Sequence, residues 1–336
     1  MANTYETDVV VIGAGPVGLF SVFECGMLGM SCHVIDSLES IGGQCMALYP
    51  EKPIYDIPAH PNILAGNLIE NLVEQIEPFD PVYHLNQQAT AVVPQDDDWH
   101  VTTSAGHEIT AKAVIIAAGA GAFGPNKPPL ENLSDFEGSS VFYMVRKRED
   151  FKGKKIVIAG GGDSAVDWAV SLSEIAEKIY VVHRRDKFRA APETVRQMHE
   201  IAESSDVLEI LTPYQLRALH GEGGQLSAVE IADFDGDTQK LDASVLLSFF
   251  GLASKIGPIE DWGLELQQKH IVTDPTTAET NQPGIYAVGD IAVYPNKLKL
   301  ILTGFSEAAM AAHAIHPRVF PGQELHFEYS TTKGVP

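Results

Sequence analysis

Two glycine clusters have the spacing that lets a backbone wrap a phosphate. Gly13-Ala-Gly15-Pro-Val-Gly18 follows the short β-branched run Asp8–Ile12 and opens an apolar stretch of helical character. In such a turn the first glycine allows the tight bend, the second lets backbone approach a pyrophosphate, and the third lets helix pack on strand. Pro16 suits the first helical position. The free N–H groups and partial positive charge at the helix start then face the phosphates. Asp36 stands 18 residues beyond Gly18, at the end of the next apolar run. A carboxylate there accepts bonds from ribose hydroxyls and repels a 2′-phosphate, so the turn suits FAD or NAD and disfavours NADP. The plainer alternative is a glycine-rich turn of purely structural use.

The second cluster, Gly160-Gly-Gly162-Asp163-Ser164-Ala165, has the same form with alanine third. Its ribose position carries no acid. It reads His183-Arg184-Arg185, followed by Arg189. Guanidinium groups bind phosphate bidentately, so this turn is suited to NADPH over NADH. The competing reading is a solvated basic loop in an acidic protein.

The elements that must hold these turns can be read from the apolar pattern. A strand at Asp8–Ile12, a helix at Gly15–Leu28 closed by Gly29, and a strand at Cys32–Asp36 make one β-turn-α-β unit. Ile41 to Pro61 is Gly- and Pro-rich and reads as a loop. Asn62–Glu77 has helical spacing, with Leu64, Leu68, Leu72 and Ile76 on one face. Ala89–Val93, His100–Thr103 and Glu108–Ala111 read as a meander turning at Asp96–Asp98 and Ala105-Gly106, and Val114–Ala117 as a returning strand. The β-turn-α-β unit then recurs, with Gly160 placed 147 residues after Gly13: strand Ile156–Ala159, helix Asp163–Ile175, strand Ile179–Val182. Val229–Phe234 and Gln239–Phe250 suggest further strands. Gly284–Asp290 precedes a helix at Phe305–Ala314 with Thr303 as its cap, and Pro317–Pro336 reads as an irregular tail.

The 336 residues predict about two domains. The fold class expected is α/β. The formal charge of −22 disfavours nucleic acid and anionic membrane as partners. Three cysteines, Cys25, Cys32 and Cys45, form no C-x-x-C pair, which suits a reducing cytoplasm. Nothing resembles a signal peptide, and no window has the roughly 18 apolar residues of a membrane span. His313 and His316 lack a third ligand, so no metal is expected. Glu193–Glu203 reads as a solvated helix face.

Two nucleotide folds in one chain, the second inserted in the first, resemble the two-dinucleotide-binding flavoproteins. Gly284–Asp290 resembles their second FAD motif and Val114–Gly119 the strand crossing between domains. His183-Arg-Arg-Asp-Lys-Phe-Arg-Ala190 resembles the NADPH signature of the low-molecular-weight thioredoxin reductases. Where those carry a redox C-x-x-C, this chain has Val141-Phe-Tyr-Met-Val-Arg146, so disulfide exchange with a thioredoxin is excluded. Gly42–Lys52, Lys297–Phe305 and Tyr329–Thr332 instead resemble the thioredoxin-reductase-like ferredoxin–NADP reductases. The resemblance implies two Rossmann-like, three-layer ββα domains: an FAD-binding domain at 1–120 and 252–336, and an inserted NADPH-binding domain at 121–251.

It also implies roles. Gly13, Gly15, Pro16 and Gly18 meet the FAD pyrophosphate, and Asp36 and Gln44 hold the adenosine half and its neighbourhood. Ala89 offers backbone to adenine, and Phe123 lies beside the cofactor. Gly289 and Asp290 hold the ribityl chain. Tyr49 stacks on one flavin face, or else packs under its own loop. Thr331 belongs to the tail covering the flavin. Tyr329 supplies the other stacking group, with His326 and Phe327 as alternatives. That tail comes from the second subunit of a homodimer. Gly160, Gly162, Asp163, Ser164, Ala165, His183, Arg184, Arg185 and Arg189 hold NADP. The implied activity takes hydride from NADPH onto flavin and releases single electrons to ferredoxin, with no protein acid, base or nucleophile. Flavodoxin, rubredoxin or quinone are alternative acceptors, and a non-catalytic FAD-binding redox sensor is the alternative of another class. An acidic ferredoxin needs a basic patch, expected at Arg146, Lys147, Arg148, Lys152, Lys154 and Lys155, or at Lys297 and Lys299. Gly119, Gly121, Gly124 and Gly251 are candidate hinges.

Overall fold

A computed structural model describes residues 3–325 and 334, with backbone alone at 122–125 and 252–255. The chain forms two compact units, Met1–Phe123 with Ser254–Pro336, and Gly124–Ala253.

In the first unit, strand Thr4–Ile12 leads through Gly13–Gly15 into α1 (Pro16–Met27) and out to strand Cys32–Ile35. These β-branched runs form the centre of a parallel sheet ordered Val82–His84, Cys32–Ile35, Thr4–Ile12, Glu108–Ile116. Val9, Val10 and Val11 are wholly buried, each contributing about 1.5–3 kcal/mol by leaving water. One face carries α1, α3 (Ala65–Ile76) and α6 (Ile301–Val319); Ile12, Val101, Ile109 and Ile116 join a second core with Trp262 and Ile271.

Several elements differ from the sequence expectation. Glu108–Ile116 is one strand, not two. Its first half pairs antiparallel with Asp98–Thr103 in the meander, and its second half pairs parallel with Ile285–Ala287. One edge of the strand thus has two partners, and the alternation changes at Lys112 because the second half is buried on both sides. The loop after Ile41 contains α2 (Gly43–Leu48) and a short ladder of Pro53–Ile54 with Ile63–Leu64. Leu64 precedes α3 and is 38% exposed, so it leaves the buried stripe of Leu68, Leu72 and Ile76. The last helix begins at Ile301 with Leu300 in the capping position, so Thr303 is inside its first turn. It runs through Pro317 to Val319, although a proline there removes one ladder bond and crowds the carbonyl one turn back.

The second unit holds a parallel sheet ordered Val141–Phe142, Val245–Ser248, Lys155–Ala159, Lys178–Val182, Leu208–Leu211. Helices α4 (Asp163–Leu172) and α5 (Pro192–Ser204) accompany it, with a separate antiparallel ribbon Gln215–Glu222, Gln225–Ala232, Thr238–Asp242. The apolar run Gln239–Phe250 is therefore two strands in two sheets, broken at Ala243–Ser244. Exposed Glu193, Arg196 and Glu200 interact along α5, as expected of a solvated face.

Candidate functional site

In the first unit the glycine turn is built by close contact. Gly13 has φ 113°, and a Cβ there would overlap the carbonyl of Ala117. A Cβ on Gly18 would overlap the carbonyl of Gly13, so Gly18 sits under the turn. Gly15 differs: its nearest neighbour in that direction is the Gly43 Cα at 4.0 Å, leaving its outer side open to a ligand. Gly15 caps α1 without a side-chain bond, so the first helical N–H groups stay unsatisfied by the cap.

An open cleft begins at this turn. Gly13, Gly15, Pro16, Asp36, Gln44, Tyr49, Ala89, Gly289 and Asp290 all line it. Asp36 is 8% exposed. Its Oδ2 accepts from the Ala14 N–H at 2.6 Å and its Oδ1 from the Leu38 N–H at 2.8 Å. Burial raises its carboxyl above the usual range, and the two N–H bonds oppose that. One lone pair on each oxygen remains for a ribose hydroxyl. Tyr49 follows α2, and the nearby Cys45 thiol adds to the upward shift of its phenol. Burial pushes both groups up, Cys45 to about 11. The Asp290 carboxylate also acts on Tyr49 electrostatically, so residues far apart in sequence meet here. The side chain of Phe123, and all of Tyr329, Thr331, His326 and Phe327, lie outside the described residues.

Sequence reasoning missed other cleft-lining groups: Gln87, Gln88, Trp262, Lys299 and Leu300. It also missed Glu307, 1% exposed on α6. Glu307 Oε2 accepts from the Gly289 N–H at 2.7 Å, Oε1 accepts from the Tyr294 hydroxyl at 2.6 Å, and Oε1 also pairs with Lys297. A charged residue among the small apolar residues of α6 was the available signal.

In the second unit the turn repeats this construction. A Cβ on Gly160 would lie 2.6 Å from the Phe249 carbonyl oxygen, and Ala165 is fully buried beneath. Gly162 has nothing within 4 Å of a Cβ position and caps α4 without a side-chain bond. Asp163 Oδ1 accepts from the Ala191 N–H at 2.9 Å, and Ser164 is exposed. Arg184, Arg185 and Arg189 are exposed, and among the described residues none is seen in an ion pair. His183 is half-buried, unlike the three arginines. Its ring packs where a Cβ on Gly161 would be and tilts on Phe188 at 5.2 Å. Burial first, then the neighbouring arginines, hold it below the usual histidine range.

The expected basic patch is altered. Lys297 is buried with Glu307, its side chain 4% exposed, and so cannot contribute to a surface. Arg148 pairs with Glu174, Lys152 with Glu149, and Lys155 with Asp242 and Glu177. Arg146, Lys147, Lys154 and Lys299 are exposed, and Lys299 Nζ donates to His270 Nε2 at 2.7 Å.

A family model of the pyridine nucleotide-disulphide oxidoreductases matches residues 7–314. The chain belongs to that family. A ferredoxin–NADP reductase of Paramagnetospirillum magneticum is 60% identical over 333 residues, 99% of this chain and 98% of that one. One of Rickettsia akari is 61% identical over 329 residues, 98% of each chain. Among solved structures, Lactococcus lactis thioredoxin reductase matches with TM-score 0.78 at 23% identity, covering 93% of this chain and 99% of that one. Thioredoxin reductase of T. acidophilum matches with TM-score 0.77 at 20% identity, over 93% and 98%. Those two likenesses show the oxidoreductase fold, two Rossmann-like α/β domains.

Proposed function

We propose that the protein is an FAD-dependent oxidoreductase carrying electrons between NADPH and ferredoxin. The observation that carries this reading is the opposite charge at two like turns: buried Asp36 beside the first, exposed Arg184, Arg185 and Arg189 beside the second. Near-full-length similarity to ferredoxin–NADP reductases supports ferredoxin as acceptor.

FAD, when bound, supplies the chemistry, taking a hydride from NADPH and giving up electrons one at a time. The chain binds and orients. The open side of Gly15 and the α1 N-terminus receive the pyrophosphate, and Asp36 receives adenosine ribose hydroxyls. Gln44 adds an amide, Ala89 borders adenine, and Asp290 takes the ribityl hydroxyls. Tyr49 covers one flavin face, while Tyr329 and Thr331 belong to the segment proposed to cover the other. The uncapped start of α6, where Leu300 and Ile301 line the cleft, offers partial positive charge to a reduced flavin. In the second unit the open side of Gly162 and the α4 N-terminus receive the NADPH pyrophosphate, and the three arginines its 2′-phosphate.

Ferredoxin as the physiological partner, a homodimer sharing its C-terminal segments, and a cytoplasmic setting belong to the same proposal. Among the described residues no helix is long and apolar enough to cross a membrane. The test is a visible titration followed by turnover. The purified protein should be yellow, NADPH should bleach it far better than NADH, and cytochrome c reduction should require added ferredoxin. Turnover that ferredoxin does not stimulate, but quinone or flavodoxin does, replaces the acceptor. A protein that binds FAD without turnover is a sensor.

A further inference from the structure

Glu307 joins two stretches of chain that both reach the cleft. Gly289 and Asp290 form one; Lys299, Leu300 and Ile301 form the other. Neither stretch has regular structure of any length before Ile301 opens α6. The first is a single 3-10 turn, Gly289–Ile291, entered through Gly289 at φ 74°. The second is the irregular approach to α6.

One carboxylate ties the first stretch to the residues just before the second. Oε2 holds the backbone N–H of Gly289 at 2.7 Å. Oε1 holds the Tyr294 hydroxyl at 2.6 Å and the Lys297 ammonium, and Lys297 lies two residues before Lys299. Lys297 also sits over the Tyr294 ring, 5.2 Å from its centroid. The approach of α6 is tight, because a Cβ on Gly304 would lie 3.3 Å from the Gly289 Cα and overlap Val17. Glu307 is one helical turn beyond Gly304, which lets its side chain reach back over this contact to the Gly289 amide.

The ion pair is almost wholly withdrawn from water, at 4% and 1% side-chain exposure. A buried pair adds little net stability over an apolar pair of like size, whereas breaking it leaves an uncompensated charge and is strongly unfavourable. What it contributes here is geometry: three donors converge on one carboxylate and fix two loops relative to each other.

We propose that Glu307, charge-balanced by Lys297 and braced by Tyr294, is a positioning residue for the flavin cofactor, holding the Asp290 turn and the Lys299–Ile301 approach in binding geometry. This rests on the reading of the cleft as the FAD site, and the two fail separately. If wild-type protein takes up no FAD, that reading falls first.

The experiment measures FAD dissociation by fluorescence, the visible circular dichroism of bound flavin and the thermal midpoint of wild type, Glu307→Gln, Glu307→Gln/Lys297→Met and Tyr294→Phe. Glu307→Gln strands the Lys297 charge and should weaken FAD about tenfold or more, equivalent to about 1.4 kcal/mol, with a changed flavin dichroism. The neutral double variant retains an amide acceptor for Gly289 and should recover most of the affinity and the wild-type dichroism. Tyr294→Phe removes one donor without stranding a charge, and should fold and weaken FAD by about threefold to tenfold, the range of one hydrogen bond. If Glu307→Gln does not fold, Tyr294→Phe and the double variant carry the test. Wild-type FAD affinity and dichroism in Tyr294→Phe and in whichever Glu307 variants fold, with only the thermal midpoint lowered, overturns the proposal in favour of a purely structural ion pair.

Discussion

The backbone N–H of Arg189 donates to the carbonyl oxygen of Gly161 at 2.7 Å, and Gly162 bridges Arg189 in parallel register. The basic loop is therefore fastened to the phosphate turn, although Arg189 stands 27 positions beyond Gly162 in the sequence. Asp163 adds a second fastening through the Ala191 N–H. The backbone that carries Arg189 is thereby held in place before the ligand arrives.

Arg184→Ala and Arg185→Ala should each raise the KM for NADPH by about tenfold to a hundredfold, since a hydrogen bond to a charged group is worth about 1.5–3 kcal/mol. The KM for NADH should not change, because NADH offers no 2′-phosphate. Steady-state kinetics with both donors checks this. An equal loss with NADH would show that the arginines shape the loop rather than read the phosphate.

Gly160 and Gly162 separate folding from binding. Gly160→Ala places a Cβ 2.6 Å from the Phe249 carbonyl oxygen at a positive φ, so it should lower stability by several kcal/mol or prevent folding. Gly162→Ala meets nothing within 4 Å. It should fold with a near-wild-type melting midpoint and lose NADPH affinity, because the added methyl stands where the pyrophosphate approaches. Melting curves paired with NADPH titration distinguish the two variants, and normal NADPH binding by Gly162→Ala would move the phosphate site elsewhere.

Asp36→Asn should weaken FAD and the turn together. Both Asp36 oxygens accept backbone N–H groups, from Ala14 and Leu38. An amide keeps one acceptor and turns an NH₂ toward a donor, leaving a buried N–H unmet at about 1–3 kcal/mol. Loss of FAD by roughly tenfold with a lowered melting midpoint is expected. Unchanged FAD affinity would mean that the remaining lone pairs of Asp36 do not face the ribose.

The glycine turns were legible because each depends on residues close in sequence, with strand, turn, helix and ribose position inside one short unit. Asp36, and the arginine cluster after the second unit, follow from that local logic. What sequence could not show lies at long range. Gly161, an arbitrary position in the motif, is glycine because the His183 ring occupies its Cβ position. Trp262, Gln87 and Gln88 reach the cleft from segments with no motif of their own. Lys297 reads as a surface charge until Glu307, ten residues on, is seen to bury it. Thr303 reads as a cap because its chemistry suits one, yet α6 starts at Ile301, where tight packing of Gly304 on Val17 and Gly289 fixes the helix.

The first unit should lose stability in mild acid through a histidine cluster around Tyr5. The rings of His33, His84 and His107 lie 5.4, 5.0 and 5.7 Å from it, and His33 Nδ1 is 3.0 Å from His84 Nε2, one nitrogen donating to the other. Burial, then the charges of His33 and His107, bring His84 down to about 4, and burial lowers His33. The unfolded chain takes up these protons near pH 6.5, while in the folded chain His84 resists until near pH 4 and His33 is also held below its usual range, so the unfolded state holds more protons across that interval. The stabilising contribution is therefore complete above about pH 6.5 and disappears as pH falls toward 4. His84 also accepts the Asp36 N–H through its carbonyl oxygen at 3.1 Å, so FAD release should accompany the loss. His84→Gln keeps a hydrogen-bonding partner for His33 without the titration, and should flatten the melting midpoint between pH 6.5 and 4 relative to wild type. Superimposable pH profiles for the two proteins would remove the cluster as the cause.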